Sequence, residues 1–321
     1  MSDAVLGLFS YLLQAIGAVG LLAFFAYLLG ASSKGGPPVR KGDIVVITGA
    51  STGIGAELAK HYATRNCHLC LCARRKEELD CVAAECVRLG AASTLTQLCD
   101  VAQKEQVEAF VDAVSARHGS CDAEVTLILN AGIGQSFFLE NGGCCEEPVF
   151  KQFMDVNFYG AVWCVMRAMP LLEKHRGRCV VISSLGGLVP FPRQCLYNAS
   201  KFALVGFFDS LRLELMSRKS PVSVTMVCPG FVETEMTTKT ALGKGGKQLG
   251  EKLSRAASGG GKMMSLPACI DCIIPAVDRR DRLAIMPRSL RCILWMYYLF
   301  PSLVDSIFVL LFGGRGKQKS G

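Results

Sequence analysis

Ile44-Val45-Val46-Ile47-Thr48-Gly49-Ala50-Ser51-Thr52-Gly53-Ile54-Gly55 decides how the rest of the chain is read. Ile44 to Thr48 is a short apolar run and predicts a buried strand. Gly49, Gly53 and Gly55 then let the backbone turn sharply and come close to a pyrophosphate. The helix predicted from Gly53 to Arg65 offers free N–H groups and the positive end of its dipole to that loop. The spacing is Gly-x-x-x-Gly-x-Gly, unlike the Gly-x-Gly-x-x-Gly fingerprint of other dinucleotide sites. A glycine loop carries weight only inside a βαβ unit, so the flanking pattern matters.

That pattern repeats. Strands are predicted at His68 to Ala73, Leu95 to Cys99, Val125 to Leu129, Cys179 to Ile182 and Val222 to Val227, with Leu283 to Met286 as a seventh. Helical patterns lie between them: Lys76 to Leu89, Gln103 to His118, two across residues 146–175, and Leu196 to Arg218. Continuous apolar strands alternating with helices predict a single doubly wound, Rossmann-like parallel α/β sheet with helices on both faces. The second strand ends in Ala73-Arg74-Arg75-Lys76. No carboxylate is present there to bind the ribose 2′-hydroxyl of NAD, and Arg74 or Arg75 suits the 2′-phosphate of NADP(H). An arginine at a helix start opposes the dipole and needs such a reason.

Tyr197 and Lys201 stand four residues apart, on one face if helical. A phenol beside an ammonium is an acid/base pair, and the positive charge is expected to lower the phenol pKa from about 10. Ser184 ends the apolar run Val-Val-Ile-Ser-Ser and is expected at the C-terminal edge of the sheet.

The chain has 321 residues, is half hydrophobic with mean hydropathy +0.33, and carries a net charge of +8. Basic residues do not alternate with aromatics in any stretch, which argues against nucleic acid. They flank the apolar ends, as suits an anionic membrane surface. Residues 4–31 are apolar enough for a bilayer span, which needs about 20 such residues. Asp3 precedes them, and Lys34, Arg40 and Lys41 follow. The positive-inside rule then predicts a transmembrane helix over 1–31 with the following domain on the cytosolic side; a cleaved signal is the alternative. Residues 32–42 read as a linker, 43–288 as the catalytic domain, and 289–321 as a membrane-associated segment with a basic tail. Within that segment Leu290 to Phe312 is strongly apolar but broken by Pro301 and Asp305. It predicts an interfacial or re-entrant hairpin with aromatic residues at headgroup level, or otherwise a dimer contact. The sixteen cysteines include Cys67-x-x-Cys70 and Cys269-x-x-Cys272. Both pairs sit in apolar runs without zinc-ribbon spacing and read as buried small hydrophobes, not metal ligands. So many scattered cysteines suit a reducing compartment.

Several separate features now agree, and together they resemble the short-chain dehydrogenase/reductase family. The matching residues are Thr48-Gly49-x-x-x-Gly53-x-Gly55, Asp100-Val101, Asn130-Ala131-Gly132, Asn157, Ser184, Tyr197-x-x-x-Lys201 and Pro229-Gly230-x-Val232-x-Thr234. The membrane ends make it similar to the 11-beta-hydroxysteroid-dehydrogenase-like branch. The resemblance implies a catalytic tetrad of Asn157, Ser184, Tyr197 and Lys201, with Asn157 holding a relay water. It implies adenine contact by Asp100 and Val101, and ribose flanking by Asn130 to Gly132. Lys201 and Tyr197 would bind the nicotinamide ribose, and Pro229, Gly230, Val232 and Thr234 would cover the nicotinamide. Ser51, Thr52 and Ile54 complete the expected cofactor loop. Substrate contacts are expected from Phe138, Leu185, Leu188 and Phe191, an apolar set suited to a steroid, retinoid or lipid ketone. The expected enzyme is a membrane-anchored, NADPH-dependent ketone/alcohol oxidoreductase at the endoplasmic reticulum. A fatty-chain ketone reductase of the 3-ketosphinganine type and a catalytically silent NADP-binding scaffold are the alternatives. Helices across 146–175 and 196–218 are the family's usual dimer surfaces.

Overall fold

The computed structural model of the protein describes residues 36–135, 137, 147–238 and 263–312, with Gly17 and Gly20. The expected helix over residues 1–31 otherwise falls outside them, as do Phe138 and residues 239–262. Among the described residues no helix is long and apolar enough to cross a membrane.

Seven strands form one parallel sheet: β1 (Ile44–Thr48), β2 (His68–Ala73), β3 (Ser93–Leu98), β4 (Val125–Leu129), β5 (Arg178–Ile182), β6 (Ser223–Pro229) and β7 (Leu283–Met286). Their order is β3-β2-β1-β4-β5-β6-β7, and every neighbouring pair is parallel. The order reverses between β1 and β4, which opens a crevice beyond the C-terminal ends of these strands.

Strand alternation sorts the core into two layers. Ile44 and Val46 face one side with Cys70, Cys72, Leu127 and Val181. Helices α3 (Lys104–His118), α5 (Gly160–Lys174) and α6 (Cys195–Ser217) cover that side with Phe110, Leu172 and Phe208. Val45 and Ile47 face the other side, against α1 (Gly53–Thr64), α2 (Lys76–Arg88) and α8 (Leu266–Asp278). Cys67, Cys70, Cys72 and Cys269 are buried among these apolar residues as their setting suggested, while Cys272 is exposed. The predicted helical pattern before α5 resolves into α4 (Glu147–Met154) and a π-helical turn, Asp155–Tyr159. β3 starts earlier and β6 ends later than their apolar runs. Backbone pairing with β2 recruits Ser93 and Thr94, and pairing with β7 recruits Cys228 and Pro229.

Residues 36–42 do not hang free. Buried Val39 donates its N–H to Asp278 at 3.0 Å, and Arg65 bridges the same carboxylate. Arg178, fully buried, donates to the Pro37 carbonyl and pairs with Glu124. Arg280 joins this network through Glu124, Ser223 and the Gly177 carbonyl. These groups lie where the strands begin, so the segment is stitched to the base of the sheet. A buried arginine needs such partners, since an unpaired buried charge is costly.

The C-terminal apolar stretch forms α9 (Leu290–Leu299) and α10 (Pro301–Phe312), which pack on each other. Pro301 cannot continue α9 and opens the second helix instead. Leu294, Val304 and Phe308 are buried in the first core layer, and Phe308 stacks on Phe191 at 4.9 Å. The hairpin therefore shares the core of the preceding domain. Its outer face still exposes Tyr298, Phe300, Leu303, Val309 and Leu310.

Candidate active site

The loop after β1 is shaped by its glycines. Gly49 and Gly53 have φ of +68° and +60°, a region L-residues rarely adopt. A Cβ on Gly55 would lie 2.4 Å from the Gly49 carbonyl and 2.5 Å from Asn130 Nδ2. Gly55 thus makes room for the protein's own loop. Asn130 fastens that loop: its Nδ2 donates to the Thr48 and Gly49 carbonyls, each at 3.0 Å. Thr48 Oγ1 in turn accepts the N–H groups of Asn130 and Ala131. Thr52 precedes α1 without capping it, and no acidic residue lies in its first turn. The N–H groups at this helix start remain available to an anion.

A cleft of about 470 Å³ runs from this loop across the strand ends. Gly49, Ser51 to Ile54, Arg74 and Arg75 line one end, and Ser184, Tyr197 and Lys201 the other. Asn130 to Gly132, Val101, Pro229, Gly230, Val232 and Thr234 lie between. Asp100 is not on the wall. Its Oδ1 folds back to the Ala102 N–H at 3.1 Å, and the cleft is lined by its neighbours Cys99 and Val101.

At the reactive end Ser184, Tyr197 and Lys201 converge on the cleft wall. Lys201 Nζ sits 5.8 Å from the Tyr197 ring centre and donates to the Ile182 carbonyl at 3.0 Å. Burial pushes the Tyr197 phenol up to about 12, and the nearby Ser184 side chain pulls it part of the way back. Tyr197 as a whole is half-buried. Burial also lowers the Lys201 ammonium to about 8. Contrary to the expected lowering of Tyr197 by Lys201, desolvation dominates, and the phenol keeps its proton at neutral pH.

Asn157 sits in the π-helical turn, buried. Its Oδ1 accepts the Ile133 N–H at 2.8 Å, and its Nδ2 donates to the Ile133 carbonyl and to Ser200 Oγ. Both amide protons are thus spent on holding the loop after β4 against α6. Only a remaining lone pair on Oδ1 is left for a relay water. The fastening roles of Ser200 and Gln135 escaped the sequence reading. Gln135 is buried, and its Oε1 accepts the backbone N–H groups of Leu196 and Tyr197 at 2.8 and 3.0 Å. It caps the helix that carries Tyr197. Its one sequence signal is a glutamine directly after Gly132-Ile133-Gly134.

The described substrate candidates are not on the cleft wall. Leu185 is a core residue, because the 3-10 turn Leu185–Gly187 tucks it inward. Leu188 and Phe191 are half-buried against the core, with Phe191 between Phe231 and Phe308.

Residues 43–244 match the family model described as short chain dehydrogenase. The chain belongs to the short-chain dehydrogenase family. As a short-chain dehydrogenase it is an oxidoreductase of the 11-beta-hydroxysteroid-dehydrogenase-like branch. It is 33% identical over 274 residues to an 11-beta-hydroxysteroid dehydrogenase of Pinus massoniana, covering 85% of this chain and 74% of that one. It is 36% identical over 260 residues to 11-beta-hydroxysteroid dehydrogenase-like 6 of Arabidopsis thaliana, covering 79% and 72%. Its fold matches a Burkholderia phymatum short chain dehydrogenase/reductase in complex with NAD, at TM-score 0.70 and 23% identity, over 82% of this chain and 95% of that one. An alcohol dehydrogenase from Thermococcus sibiricus complexed with 5-hydroxy-NADP matches at TM-score 0.56 and 23% identity, over 70% and 95%. The cleft fits a nicotinamide dinucleotide: the uncapped helix start suits its diphosphate, and the cleft's length joins that point to Tyr197.

Proposed function

We propose that the chain is a membrane-associated, NADPH-dependent oxidoreductase that interconverts a ketone and a secondary alcohol on a lipophilic substrate. The observation that carries the chemistry is the convergence of Ser184, Tyr197 and Lys201 on one cleft, with Lys201 Nζ 5.8 Å from the Tyr197 ring centre. A bound nicotinamide supplies the hydride. Ser184 and Tyr197 hold the carbonyl oxygen, and Tyr197 gives it the proton as negative charge develops there. Lys201, charged below pH about 8, compensates the tyrosinate that results. Arg74 and Arg75 follow β2 and line the cleft, and the strand itself ends without an acidic residue, which favours a 2′-phosphate.

Lipid association is supported by two features. One is the apolar run at residues 4–31; the other is the exposed outer face of α9 and α10. The plant relatives named for steroid dehydrogenation point to the same substrate class. We place the domain on the cytosolic side of the endoplasmic reticulum from the basic residues after residue 31. Exposed Tyr159, Met166, Phe202, Leu213 and Met216 on the outer faces of α5, α6 and the π turn suit pairing with a second copy.

The test is NADPH oxidation by the purified protein against steroid, retinoid and long-chain ketones. Turnover of at least one class is expected. Tight NADPH binding with no turnover across the panel would leave a binding scaffold instead. Protease protection on sealed membranes tests the orientation, and a protected catalytic domain reverses it.

A further inference from the structure

Arg75 is assigned above to the cofactor phosphate, yet its guanidinium already holds other partners. Nη2 donates to Thr52 Oγ1 at 2.7 Å. Nη1 pairs with Glu235 at 3.2 Å and with Glu78 at 3.5 Å. Glu78 belongs to α2, the helix that Arg75 itself precedes. Glu235 comes from the opposite bank of the cleft. It is the first residue of α7 (Glu235–Thr238), the short helix after Thr234. Arg75, Thr52 and Glu235 all line the cleft. An ion pair therefore strides the cleft at the end where a 2′-phosphate would dock.

The following residue reaches the other end. A Cβ built on Gly132 would lie 3.8 Å from Met236 Cε and 3.7 Å from Lys201 Nζ. Glu235 and Met236 thus touch the two ends of one cleft through a helix of four residues.

We propose that Glu235 is a specificity residue of this site: its carboxylate is a built-in rival of the cofactor's 2′-phosphate for Arg75. This rests on the phosphate reading of Arg75 above. A phosphate arriving at Arg75 meets a guanidinium that already neutralises a carboxylate, and that carboxylate repels it. To make charge-assisted hydrogen bonds with Arg75 the phosphate displaces Glu235. A dinucleotide without the phosphate leaves the pair closed. Glu235 therefore lowers the affinity for NADPH and leaves that for NADH unchanged. Both side chains are about 40% exposed, at 42% and 40%, so the effect is that of a screened surface pair and not of a buried one.

The experiment is a titration of NADPH and NADH by fluorescence, without substrate, on wild type, Glu235→Gln, Arg75→Ala and the double variant. Glu235→Gln is expected to tighten NADPH roughly two- to fivefold and leave NADH unchanged, on the scale of exposed ion pairs. The gain is expected to vanish in the Arg75→Ala background. Unchanged or weaker NADPH binding in Glu235→Gln, while Arg75→Ala weakens NADPH selectively, overturns the rival role and leaves the phosphate reading intact. Arg75→Ala without any effect on NADPH overturns both. A gain that persists without Arg75 shows direct repulsion and overturns the rivalry for the guanidinium.

Discussion

Gln135 holds Tyr197 from behind: its Oε1 accepts the Tyr197 backbone N–H at 3.0 Å, and that of Leu196 beside it. These are helix-start donors with no partner inside the helix. The residue that presents the reactive phenol is thereby fixed at its main chain by a side chain from the loop after β4. Gln135→Ala removes the cap and leaves both donors buried. Stability is expected to fall by about 1–2 kcal/mol, read by denaturant unfolding. Turnover is expected to drop roughly tenfold as the phenol loses its position, while NADPH affinity holds.

Tyr197→Phe keeps the ring and removes the proton. Turnover is expected to fall by a factor on the order of 10²–10⁴, with cofactor titration nearly unchanged. Retained turnover would reassign the acid.

The pH response follows from Lys201. Its ammonium is lowered from 10.5 to about 8 by burial. Ketone reduction in the free enzyme is expected to decline as pH rises through about 8, where the compensating charge is lost. Stability carries the opposite sign. Between pH about 8 and 10.5 the unfolded chain holds this proton and the folded chain does not, so unfolding free energy rises with pH in that window. Tyr197, raised from 10.0 to about 12, acts the other way above pH 10. Lys201→Met should remove the rise between 8 and 10.5, measured as the difference between wild-type and variant unfolding curves.

Arg74→Ala with Arg75→Ala is expected to weaken NADPH on the order of 10- to 100-fold, the range of one or two hydrogen bonds to a charged group. NADH should change little. Equal losses for both cofactors would remove the arginines from phosphate recognition.

The C-terminal hairpin has two faces that mutations can separate. Phe308 is buried and stacked on Phe191, so Phe308→Ala is expected to cost about 3 kcal/mol. Leu310 is 81% exposed, so Leu310→Ser should leave unfolding unchanged and weaken flotation with anionic vesicles. Unchanged flotation after serine substitution at Leu303, Val309 and Leu310 together would take the hairpin off the membrane.

The strands were legible because apolar runs of five or six residues such as Ile44 to Thr48 have little alternative to burial. Tyr197, Ser184 and Lys201 were legible because local spacing and strand ends place them. What escaped depends on contacts between distant segments. Gln135 lies 62 positions from the helix it caps, and Glu235 lies 160 from Arg75. Leu185 looked like a pocket residue because it follows Ser184, but a single 3-10 turn sends it inward. The acidity of Tyr197 was misjudged in sign because sequence shows the neighbouring cation and not the depth of burial.

Parallel strands give a sheet two unlike ends, and this chain leaves from both. Pro37 and Val39 are tied down where the strands begin, while α10 packs on Phe191 beyond where they finish. A bilayer gripping the protein through both its termini would hold it lying down, strands along the surface like a moored hull. The cleft would then open sideways at the waterline, where a greasy substrate is within reach and a charged dinucleotide still arrives from water.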